Sequence, residues 1–350
     1  MLDFRPPVTE DRKWVAPIIS HAKRFGCDYS FGDIFIWQHV YNIRIALHDG
    51  FLFSKNGSDD DDGDGVKRLT YGIPVGSGDL KKAIELIEED SLKSGFNLEM
   101  FGLNNECVKK VEAMFPGKFE FEPLRDSYDY IYLTENLINL PGKKFHGKRN
   151  HIAAFVRDNE WSYEPITADN LDECIAMNAE WERRNREKDP EAMDDELDAI
   201  NISFKNYFEL GFVGGLLRAN GEVVAFTFGE EMNSEMFCTH IEKAYADVRG
   251  AYPMINREFA ANALSQYKYG CAKQSSPIIR TFSLKNIWQG SRNDSISFYK
   301  RGYRRTHCPV AHLLRRRRGV YLRAYARSFC AGAYACRARG RQNLLGALSA

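Results

Sequence analysis

Apolar residues follow two different spacings in the first half of the chain. Leu80, Ile84 and Ile87 lie on one face of a helix, which predicts an amphipathic α-helix at this position. Residues 43–54 instead form two short apolar stretches joined by an Asp-Gly turn, which predicts a β-hairpin. Similar helical and strand signals alternate as far as residue 140, and this alternation indicates an α/β fold.

The second half of the chain gives a stronger sheet signal. Residues 214–218 and 223–230 flank an Asn-Gly pair, which is typical of a two-residue hairpin turn, and residues 236–243 predict a third strand. A long helix is predicted from residue 171, and another begins after Arg249-Gly250. We therefore predict an α/β chain with mixed sheets of the α+β kind.

The length and composition describe a globular protein with an unusual end. A chain of 350 residues, with 44% hydrophobic and 27% charged residues, suggests two ordinary globular domains. The net charge is zero, but residues 295–350 hold 13 basic and no acidic residues, whereas residues 1–294 hold 35 basic and 48 acidic residues. We interpret the end as an altered, atypical tail and not as a nucleic-acid-binding arm.

The cysteine pattern indicates neither a metal site nor a disulfide framework, because the eight cysteines are scattered with no CxxC pair. An acidic stretch at residues 59–65 begins like a calcium-binding loop. Tyr71 stands where the bidentate glutamate belongs, so no metal is predicted there either. The sequence has no signal-peptide pattern and no run of about 20 apolar residues, which favours a cytoplasmic chain without an integral membrane segment.

A cluster of basic and imidazole side chains stands at the start of a predicted helix. The sequence from His146 to His151 is His-Gly-Lys-Arg-Asn-His, and Ile152, Phe155 and Val156 follow on one helical face. Cations at a helix N-terminus oppose the helix dipole, so local stability does not explain them. An anionic partner is one interpretation, and a solvated basic turn is the other.

Several short motifs together resemble one protein family. These motifs are Tyr29-Ser30-Phe31 with Phe35-Ile36-Trp37, His146-Gly147-Lys148-Arg149-Asn150-His151, His240-Ile241-Glu242-Lys243-Ala244, and Gly250-Ala251-Tyr252 with Ile255-Asn256-Arg257-Glu258-Phe259-Ala260. Over residues 1–268 the chain is similar to the family named for the C-terminal domain of phosphatidylglycerol lysyltransferase. Stand-alone members of that family are similar to Fem-type aminoacyl transferases.

The resemblance implies two GNAT-like (acyl-CoA N-acyltransferase-like) domains in tandem. We assign residues 1–140 to the first domain, residues 141–310 to the second domain, which holds the active site, and residues 311–350 to the basic, atypical tail. Residues 270–276 do not match the family pattern. Whether the tail completes the second sheet and leaves the chain active stays open, as does the oligomeric state.

The resemblance also implies where the chemistry takes place. GNAT-type folds separate two central strands so that a backbone N–H holds the acyl carbonyl, with a general base nearby. His240 and Glu242 alternate on one predicted strand and are expected to share a face, His240 as base or substrate ligand and Glu242 as the amine-binding group. Glu230 is expected to face the same cavity. The alternatives are a solvent-exposed strand end or a buried pair that is satisfied internally.

A second group of residues is predicted to bind substrate without taking part in the reaction. They are His146, Lys148, Arg149, Asn150, Lys243, Asn256 and Arg257. For Asn256 and Arg257, which start a predicted helix, a capping and surface role is equally open.

Acyl-CoA and aminoacyl-tRNA are the two candidate donors, and no other cofactor is implied. Aligned on Gly250, Asp247 stands where acetyltransferases place Gln or Arg, and Tyr252 stands where they place Gly or Ala. Because an aspartate repels phosphate, ordinary acetyl-CoA binding is disfavoured. The resemblance implies an aminoacyl-tRNA donor, for which the basic residues between 143 and 149 are the obvious contact.

We therefore predict an acyl- or aminoacyltransferase that moves its group to an amine or hydroxyl of a small-molecule or peptide acceptor, in a cavity between the two halves. The alternative is a non-catalytic tandem GNAT-like protein that binds a ligand or RNA. Both predictions expect the strand with His240 and Glu242 to face the gap beside the helix that begins at His146.

Overall fold

The structure, a computed structural model, describes residues 2–23, 26–58, 68–123, 129–186, 194–272 and 334–338. All of these residues belong to one compact unit, which comprises residues 1–275 and 329–350. The acidic stretch at residues 59–65 and most of the predicted tail at 311–350 lie outside the described residues, so the predictions made for them stay predictions.

The first sheet has seven described strands. They are β1 (Arg44–His48), β2 (Phe51–Ser58), β3 (Arg68–Gly72), β4 (Val75–Gly76), β5 (Glu99–Leu103), β6 (Phe119–Pro123) and β13 (Tyr334–Ala338). Their order is β1-β2-β3-β5-β13-β6, with β4 paired to β2. The β3–β5 pair is parallel and the other pairs are antiparallel. The predicted hairpin at residues 43–54 is present as β1 and β2, and Asp49 and Gly50 in its turn both have positive φ.

Five helices accompany this sheet in the described part of the first half. They are α1 (Arg12–Ala22), α2 (Phe31–Ile36), α3 (Gln38–Tyr41), α4 (Leu80–Lys93) and α5 (Asn105–Met114). A short 3-10 turn, Cys27–Tyr29, leads into α2. Ser30 caps α2, because its Oγ accepts a hydrogen bond of 3.2 Å from the backbone N–H of Asp33. The helix predicted over residues 80–87 is confirmed as α4.

The second sheet has six described strands. They are β7 (Tyr130–Leu133), β8 (Trp161–Pro165), β9 (Val213–Ala219), β10 (Glu222–Asn233), β11 (Met236–Ala244) and β12 (Tyr269–Ala272). Their order is β7-β12-β11-β10-β9-β8, and only the β11–β12 pair among them is parallel. Asn220 and Gly221 join β9 to β10 with positive φ, as the hairpin prediction requires. Residues 130–133 belong to the first half in sequence, but they pair with β12 of the second sheet.

Five further helices in the described part of the chain accompany the second sheet. They are α6 (Thr134–Asn139), α7 (His146–Asp158), α8 (Leu171–Arg186), α9 (Asp194–Lys205) and α10 (Ala251–Ala263). The prediction of an α/β chain with two GNAT-like halves and mixed sheets is confirmed. None of the described helices is long and apolar enough to cross a lipid bilayer.

The two sheets share one hydrophobic core. Val15 of α1 and Phe31 of α2 are buried in the same apolar cluster as Phe226 and Phe228 of β10. Complete burial of an aromatic or aliphatic side chain of this size contributes about 1.5–3 kcal/mol. α1 and α2, although early in the chain, therefore pack against the inner face of the second sheet.

The outer face of the second sheet is covered by α6 and α10. Phe237 of β11 packs against Phe259 of α10, with ring centroids 5.6 Å apart. Leu137 of α6 belongs to the same small cluster. Alternate residues of β11 thus point either to the shared core or to the layer of α6 and α10.

Candidate functional site

The pairing of β11 with β10 is interrupted at His240. Phe228 is opposite Ile241, but the next residue of β10, Gly229, is opposite Thr239. His240 is therefore an extra residue in β11, which is the definition of a β-bulge. Bulges are frequent beside active sites because they redirect the side chains that follow them.

This bulge places His240 and Glu242 on opposite faces of the sheet. His240 points inward to Glu230 of β10, whereas Glu242 points outward and contacts Asn256 of α10. The expectation that His240 and Glu242 share a face is wrong, because one inserted residue reverses the alternation of every side chain beyond it.

His240 and Glu230 form a buried pair on the inner face. His240 Nε2 lies 3.1 Å from Glu230 Oε1, and their side chains are only 1% and 3% exposed. The backbone N–H of Gly32 in α2 donates a second hydrogen bond of 2.6 Å to the same oxygen. A Cβ added at Gly32 would lie 2.6 Å from that oxygen, so only glycine permits this approach. Glu230 and His240 do meet, as predicted, but they are enclosed by protein and connect α2 to the bulge.

Glu242 lies in a second polar group, on the outer face. Asn256 Nδ2 donates a hydrogen bond of 3.1 Å to Glu242 Oε2, and Lys148 of α7 interacts electrostatically with the same carboxyl. Burial raises the pKa of Glu242, while the Asn256 hydrogen bond and the charge of Lys148 act in the opposite direction. Burial likewise lowers the pKa of Lys148, and Glu242 opposes that change. The charge of each group therefore favours the ionised form of the other, against the effect of burial.

Two tyrosines complete this group, which we name the Glu242 cluster: Lys148, Glu242, Asn256, Tyr132 and Tyr252. Burial raises the pKa of Tyr252 to about 12, and the nearby Glu242 adds to the effect. Burial also raises the pKa of Tyr132, and Glu242 contributes again. All five side chains are half-buried, so the cluster is partly open to solvent.

The basic helix reaches Glu242 because α7 packs closely against α10. The turn between β11 and α10 contains Gly250, whose φ is +88°. A Cβ at Gly250 would lie 2.2 Å from the carbonyl oxygen of His151, so the close approach of α7 requires glycine here. The expected proximity of the strand and the basic helix thus holds for Glu242, but the imidazole of His240 lies on the other face.

The pairing of β11 with β12 is described as far as Ala272. β12 pairs with β11 only from Met236 to Thr239, where Thr239 is opposite Ala272. Among the described residues, none pairs with this edge of β11 from His240 onward.

The other predicted substrate residues of α7 lie near the cluster but make different contacts. Arg149 donates hydrogen bonds to the carbonyl oxygens of Leu140 and Gly142 and so fastens the loop before the helix. His146 and Asn150 are exposed and contact each other, with 3.1 Å between His146 Nε2 and Asn150 Nδ2. Of this motif, Lys148 alone contributes to the Glu242 cluster.

Lys243 and Arg257 are separate from the cluster. Lys243 points inward, where its Nζ lies 2.8 Å from Glu196 Oε1 and 4.0 Å from the ring centroid of Trp181. Arg257 pairs with its neighbour Glu258. Both cations are thus neutralised by carboxylates elsewhere in the second half.

A cavity lies at the other end of β11, away from the predicted site residues. It measures about 520 Å³ and lies between α1 and the sheet, where Arg12, Lys13, Glu231, Phe237 and Tyr267 help to line it. None of the predicted site residues lines this cavity. Glu231 is opposite Phe237 near the start of β11, whereas Glu242 stands near the end of the strand.

Sequence reasoning missed Tyr132 and Tyr252 as members of the site. Tyr252 directly follows the Gly250-Ala251 motif, so its position was a usable signal. Tyr132 gave no such signal, because its place depends on the pairing of β7 with β12.

A model of the family described as "Phosphatidylglycerol lysyltransferase, C-terminal" matches residues 20–270 of this chain. No curated protein matches the sequence. The comparison therefore identifies the family through the same region that carries the motifs and the Glu242 cluster.

Solved structures with the same fold extend this comparison. A conserved protein of unknown function from Bacteroides thetaiotaomicron is 35% identical, with a TM-score of 0.74, over 80% of this chain and 94% of that chain. The C-terminal domain assigned to a lysylphosphatidylglycerol synthetase of Agrobacterium fabrum has a TM-score of 0.54 and 13% identity, over 75% of this chain and 77% of that chain. FemX has a TM-score of 0.53 and 6% identity, over 78% of this chain and 89% of the FemX chain.

The two distant structures share the fold of this chain, and the Bacteroides protein is also similar to it in sequence. The family match spans more than half of the residues. The chain therefore belongs to the family of the C-terminal domain of phosphatidylglycerol lysyltransferase.

Proposed function

We propose that the chain is an aminoacyltransferase that moves an aminoacyl group from an ester donor to an amine acceptor at the Glu242 cluster. Family membership and the GNAT-like fold support an acyl-transfer reaction. The observation that carries the proposal is the meeting of Glu242, Lys148 and Asn256 on the outer face of β11. An amine, an acyl carbonyl and a leaving hydroxyl need neighbouring groups of this kind.

Glu242 binds the acceptor amine in this proposal. Asn256 holds one carboxyl oxygen, Oε2, at 3.1 Å and so fixes the orientation of the group. The other oxygen, Oε1, then receives the hydrogen bond of the amine. Lys148 interacts electrostatically with the carboxyl and balances its charge. A fixed, partly desolvated carboxylate orients the amine for attack.

The reaction follows from these positions. The acceptor nitrogen attacks the carbonyl carbon of the ester, while backbone N–H groups of β11 beyond Thr239 hold the carbonyl oxygen. The new C–N bond forms, the C–O bond of the ester breaks, and the amine loses a proton to Glu242. Lys148 gives a proton to the leaving oxygen, and Glu242 then returns its proton to Lys148. Atoms and charges balance without a further reactant.

His240 and Glu230 have a positioning role in this account. Both are buried, and together with the N–H of Gly32 they hold α2 against the bulge. The bulge in turn directs Glu242 outward. Their substitution acts on the reaction through the shape of β11 and not through contact with substrate.

Two contacts favour an aminoacyl ester over a CoA thioester as donor. Asp247, in the loop where acetyltransferases bind pyrophosphate, pairs with Arg184 at 3.2 Å and places a carboxylate there. The turn at Gly250 is also approached by the carbonyl oxygen of His151. A pyrophosphate would meet two oxygen atoms of partial or full negative charge.

The test is a donor comparison with the full chain. Aminoacyl-tRNA and acyl-CoA, each labelled in the acyl group, are incubated with a mixture of amine-bearing small molecules, peptides and lipid vesicles, and products are identified by mass spectrometry. The proposal expects label in an amide product from aminoacyl-tRNA alone. Product from acyl-CoA alone contradicts the donor assignment. Binding of aminoacyl-tRNA without any product supports the non-catalytic alternative.

A further inference from the structure

Three cysteines from distant parts of the chain meet at one point in the core. Cys27 lies in the turn before α2, Cys238 in β11 and Cys271 in β12, and their sulfur atoms all lie within 4.8 Å of one another. Cys238 and Cys271 are direct partners in the parallel pair. All three side chains are buried. This cluster has no signature in the sequence, because metal sites are recognised from short spacings that these residues do not have.

The spacing of the sulfur atoms suits a tetrahedral metal ion. Cys27 Sγ and Cys271 Sγ lie 3.8 Å apart. Zinc–sulfur bonds of about 2.3 Å in a tetrahedral site place neighbouring sulfurs about 3.8 Å apart. A disulfide, in contrast, requires a sulfur separation of about 2.05 Å. The cluster therefore needs no rearrangement of its closest pair to accept such an ion.

His240 supplies a fourth donor next to the three thiols. Its Nδ1 lies 3.9 Å from Cys238 Sγ, while its Nε2 is held by Glu230 at 3.1 Å. Because a carboxylate accepts hydrogen bonds, Nε2 carries the hydrogen in this contact, and Nδ1 of the neutral ring then offers its lone pair. A histidine whose second nitrogen is held by a carboxylate is a recurring arrangement at metal sites.

The surroundings of the cluster also favour a cation. Asp129 Oδ2 accepts a hydrogen bond of 2.7 Å from the backbone N–H of Cys27, so a carboxylate lies at the edge of the cluster. A bound divalent ion would be stabilised by three thiolates and by the Asp129 carboxylate beside them.

We propose that Cys27, Cys238, Cys271 and His240 bind one thiophilic divalent cation, with zinc as the ion of choice. Three thiolates and one imidazole form a closed set of four ligands, which is the pattern of structural zinc sites. The ion joins the segment before α2 to β11 and β12. It thereby keeps Gly32 in contact with Glu230 and supports the bulge at His240. This inference is independent of the proposed transfer reaction.

The first experiment measures metal in the wild-type chain. The full chain is expressed in zinc-supplemented medium, dialysed against metal-free buffer and analysed by inductively coupled plasma mass spectrometry. The proposal expects about one zinc per chain, as a single four-ligand site requires. Replacement of zinc by cobalt(II) is expected to produce the near-ultraviolet charge-transfer absorption of thiolate-bound cobalt. Both readouts are independent of enzymatic activity and need no substitution.

Single substitutions then locate the site. Cys27→Ser, Cys238→Ser and Cys271→Ser are expected to lose the ion and the cobalt absorption. Cys107→Ser and Cys174→Ser are matched controls, because both residues are buried free cysteines outside the cluster, and they are expected to retain the ion. His240→Ala is expected to weaken binding and to alter the visible cobalt spectrum, because one nitrogen ligand is lost.

A stability measurement covers the case in which a variant does not fold. A strong chelator is expected to lower the melting temperature of the wild-type chain, and added zinc is expected to restore it, because a ligand that binds the folded state stabilises it. A wild-type chain without bound zinc and without the cobalt absorption overturns the proposal. So does mass-spectrometric detection of a Cys27–Cys271 disulfide in the purified chain, or loss of metal in the control variants alone.

Discussion

Lys148 of α7 and Glu242 of β11 are close enough for each charge to affect the pKa of the other. They come from separate elements, which meet because α7 packs against α10 at the Gly250 turn. Together with Asn256, this pair places an ammonium, a carboxylate and an amide group side by side on the outer face of the second sheet. The inner face is occupied by the enclosed pair of His240 and Glu230.

Removal of the Lys148 charge tests the partnership with Glu242. Lys148→Met keeps most of the apolar side chain but removes the proton donor, so the transfer rate is expected to fall by about 100-fold or more. The rate is measured as amide product formed from labelled aminoacyl-tRNA.

Lys109→Met serves as the control for Lys148→Met. Lys109 is exposed in α5, outside the basic residues predicted to contact the donor. Its substitution is expected to leave the rate within about twofold of the wild type, since surface substitutions away from a site have small effects. Equal loss in both variants would assign the effect to general attraction of an anionic substrate and would contradict the role given to Lys148.

Gly32 tests the contact between α2 and the bulge. Gly32→Ala places a Cβ 2.6 Å from Glu230 Oε1 and 2.8 Å from His240 Nε2, so the free energy of unfolding is expected to fall by about 1–3 kcal/mol. Urea denaturation followed by circular dichroism measures the change.

Gly147→Ala is the matched control for Gly32→Ala. A Cβ at Gly147 meets no atom within 4 Å, and the residue lies in α7. Alanine is favoured over glycine in helices, so this variant is expected to be unchanged or more stable by about 0.5–1 kcal/mol. If Gly32→Ala is as stable as Gly147→Ala, the contact of Gly32 with Glu230 and His240 is not tight enough to exclude a methyl group, and the account of this contact is contradicted.

The buried pair itself is expected to contribute to stability. Glu230→Ala leaves His240 and the N–H of Gly32 without their common acceptor, which costs about 1–3 kcal/mol for each buried group. Thermal unfolding is expected at a clearly lower temperature than in the wild type. Glu160→Ala, an exposed residue in the turn before β8, is expected to change little. An unchanged melting temperature in Glu230→Ala would contradict the positioning role.

Asp11 provides a test of pH dependence away from the site. Burial raises the pKa of this carboxyl, but hydrogen bonds from Arg5, the Val8 N–H and Trp14 outweigh it and leave the pKa lowered. A group with a lowered folded-state pKa stabilises the protein above its unfolded pKa of about 3.9 and loses that contribution as the pH falls.

Asp11→Asn is therefore expected to lower stability by about 1 kcal/mol at neutral pH. The difference from the wild type is expected to shrink below about pH 4, where the wild-type carboxyl becomes protonated. Urea denaturation at a series of pH values measures both. Asp198→Asn is the control, because Asp198 is exposed on α9, and its free energy of unfolding is expected to vary with pH as in the wild type. If Asp11→Asn differs from the wild type by the same free energy at every pH, the Asp11 carboxyl does not contribute to the pH dependence of stability.

Much of the fold could be predicted from local patterns. Asp49-Gly50 and Asn220-Gly221 specify their turns through residues that accept positive φ, and the apolar spacing of Leu80, Ile84 and Ile87 identifies α4. These signals are local, so they do not depend on how distant segments pack.

The site could be predicted only in part, because its geometry depends on two long-range events. The extra residue at His240 gives no sequence signal, yet it decides which face Glu242 occupies. The pairing of β7 with β12, which brings Tyr132 to the site, joins strands that are distant in sequence. Lys148 and Asn256, which the sequence analysis predicts to bind substrate, both lie beside Glu242 because α7 and α10 pack together; their binding of substrate stays a prediction.

The cysteine cluster also depends on long-range packing and could not be predicted from the sequence. Cys27, Cys238 and Cys271 lie in three separate segments, and only the packing of α2 against the second sheet brings them together. Spacing rules for metal sites apply to ligands close in sequence, so they indicated none here.

The transfer rate of Glu242→Gln most directly tests the central claim that the outer face of β11 is the active site. Aminoacyl-tRNA labelled in the amino acid is the donor, and Glu160→Gln, an exposed residue remote from the cluster, is the control. The account predicts that Glu242→Gln keeps the wild-type circular dichroism spectrum and loses about 100-fold to 10,000-fold in rate, while Glu160→Gln is unaffected. A folded Glu242→Gln variant that transfers the label at the wild-type rate would contradict it.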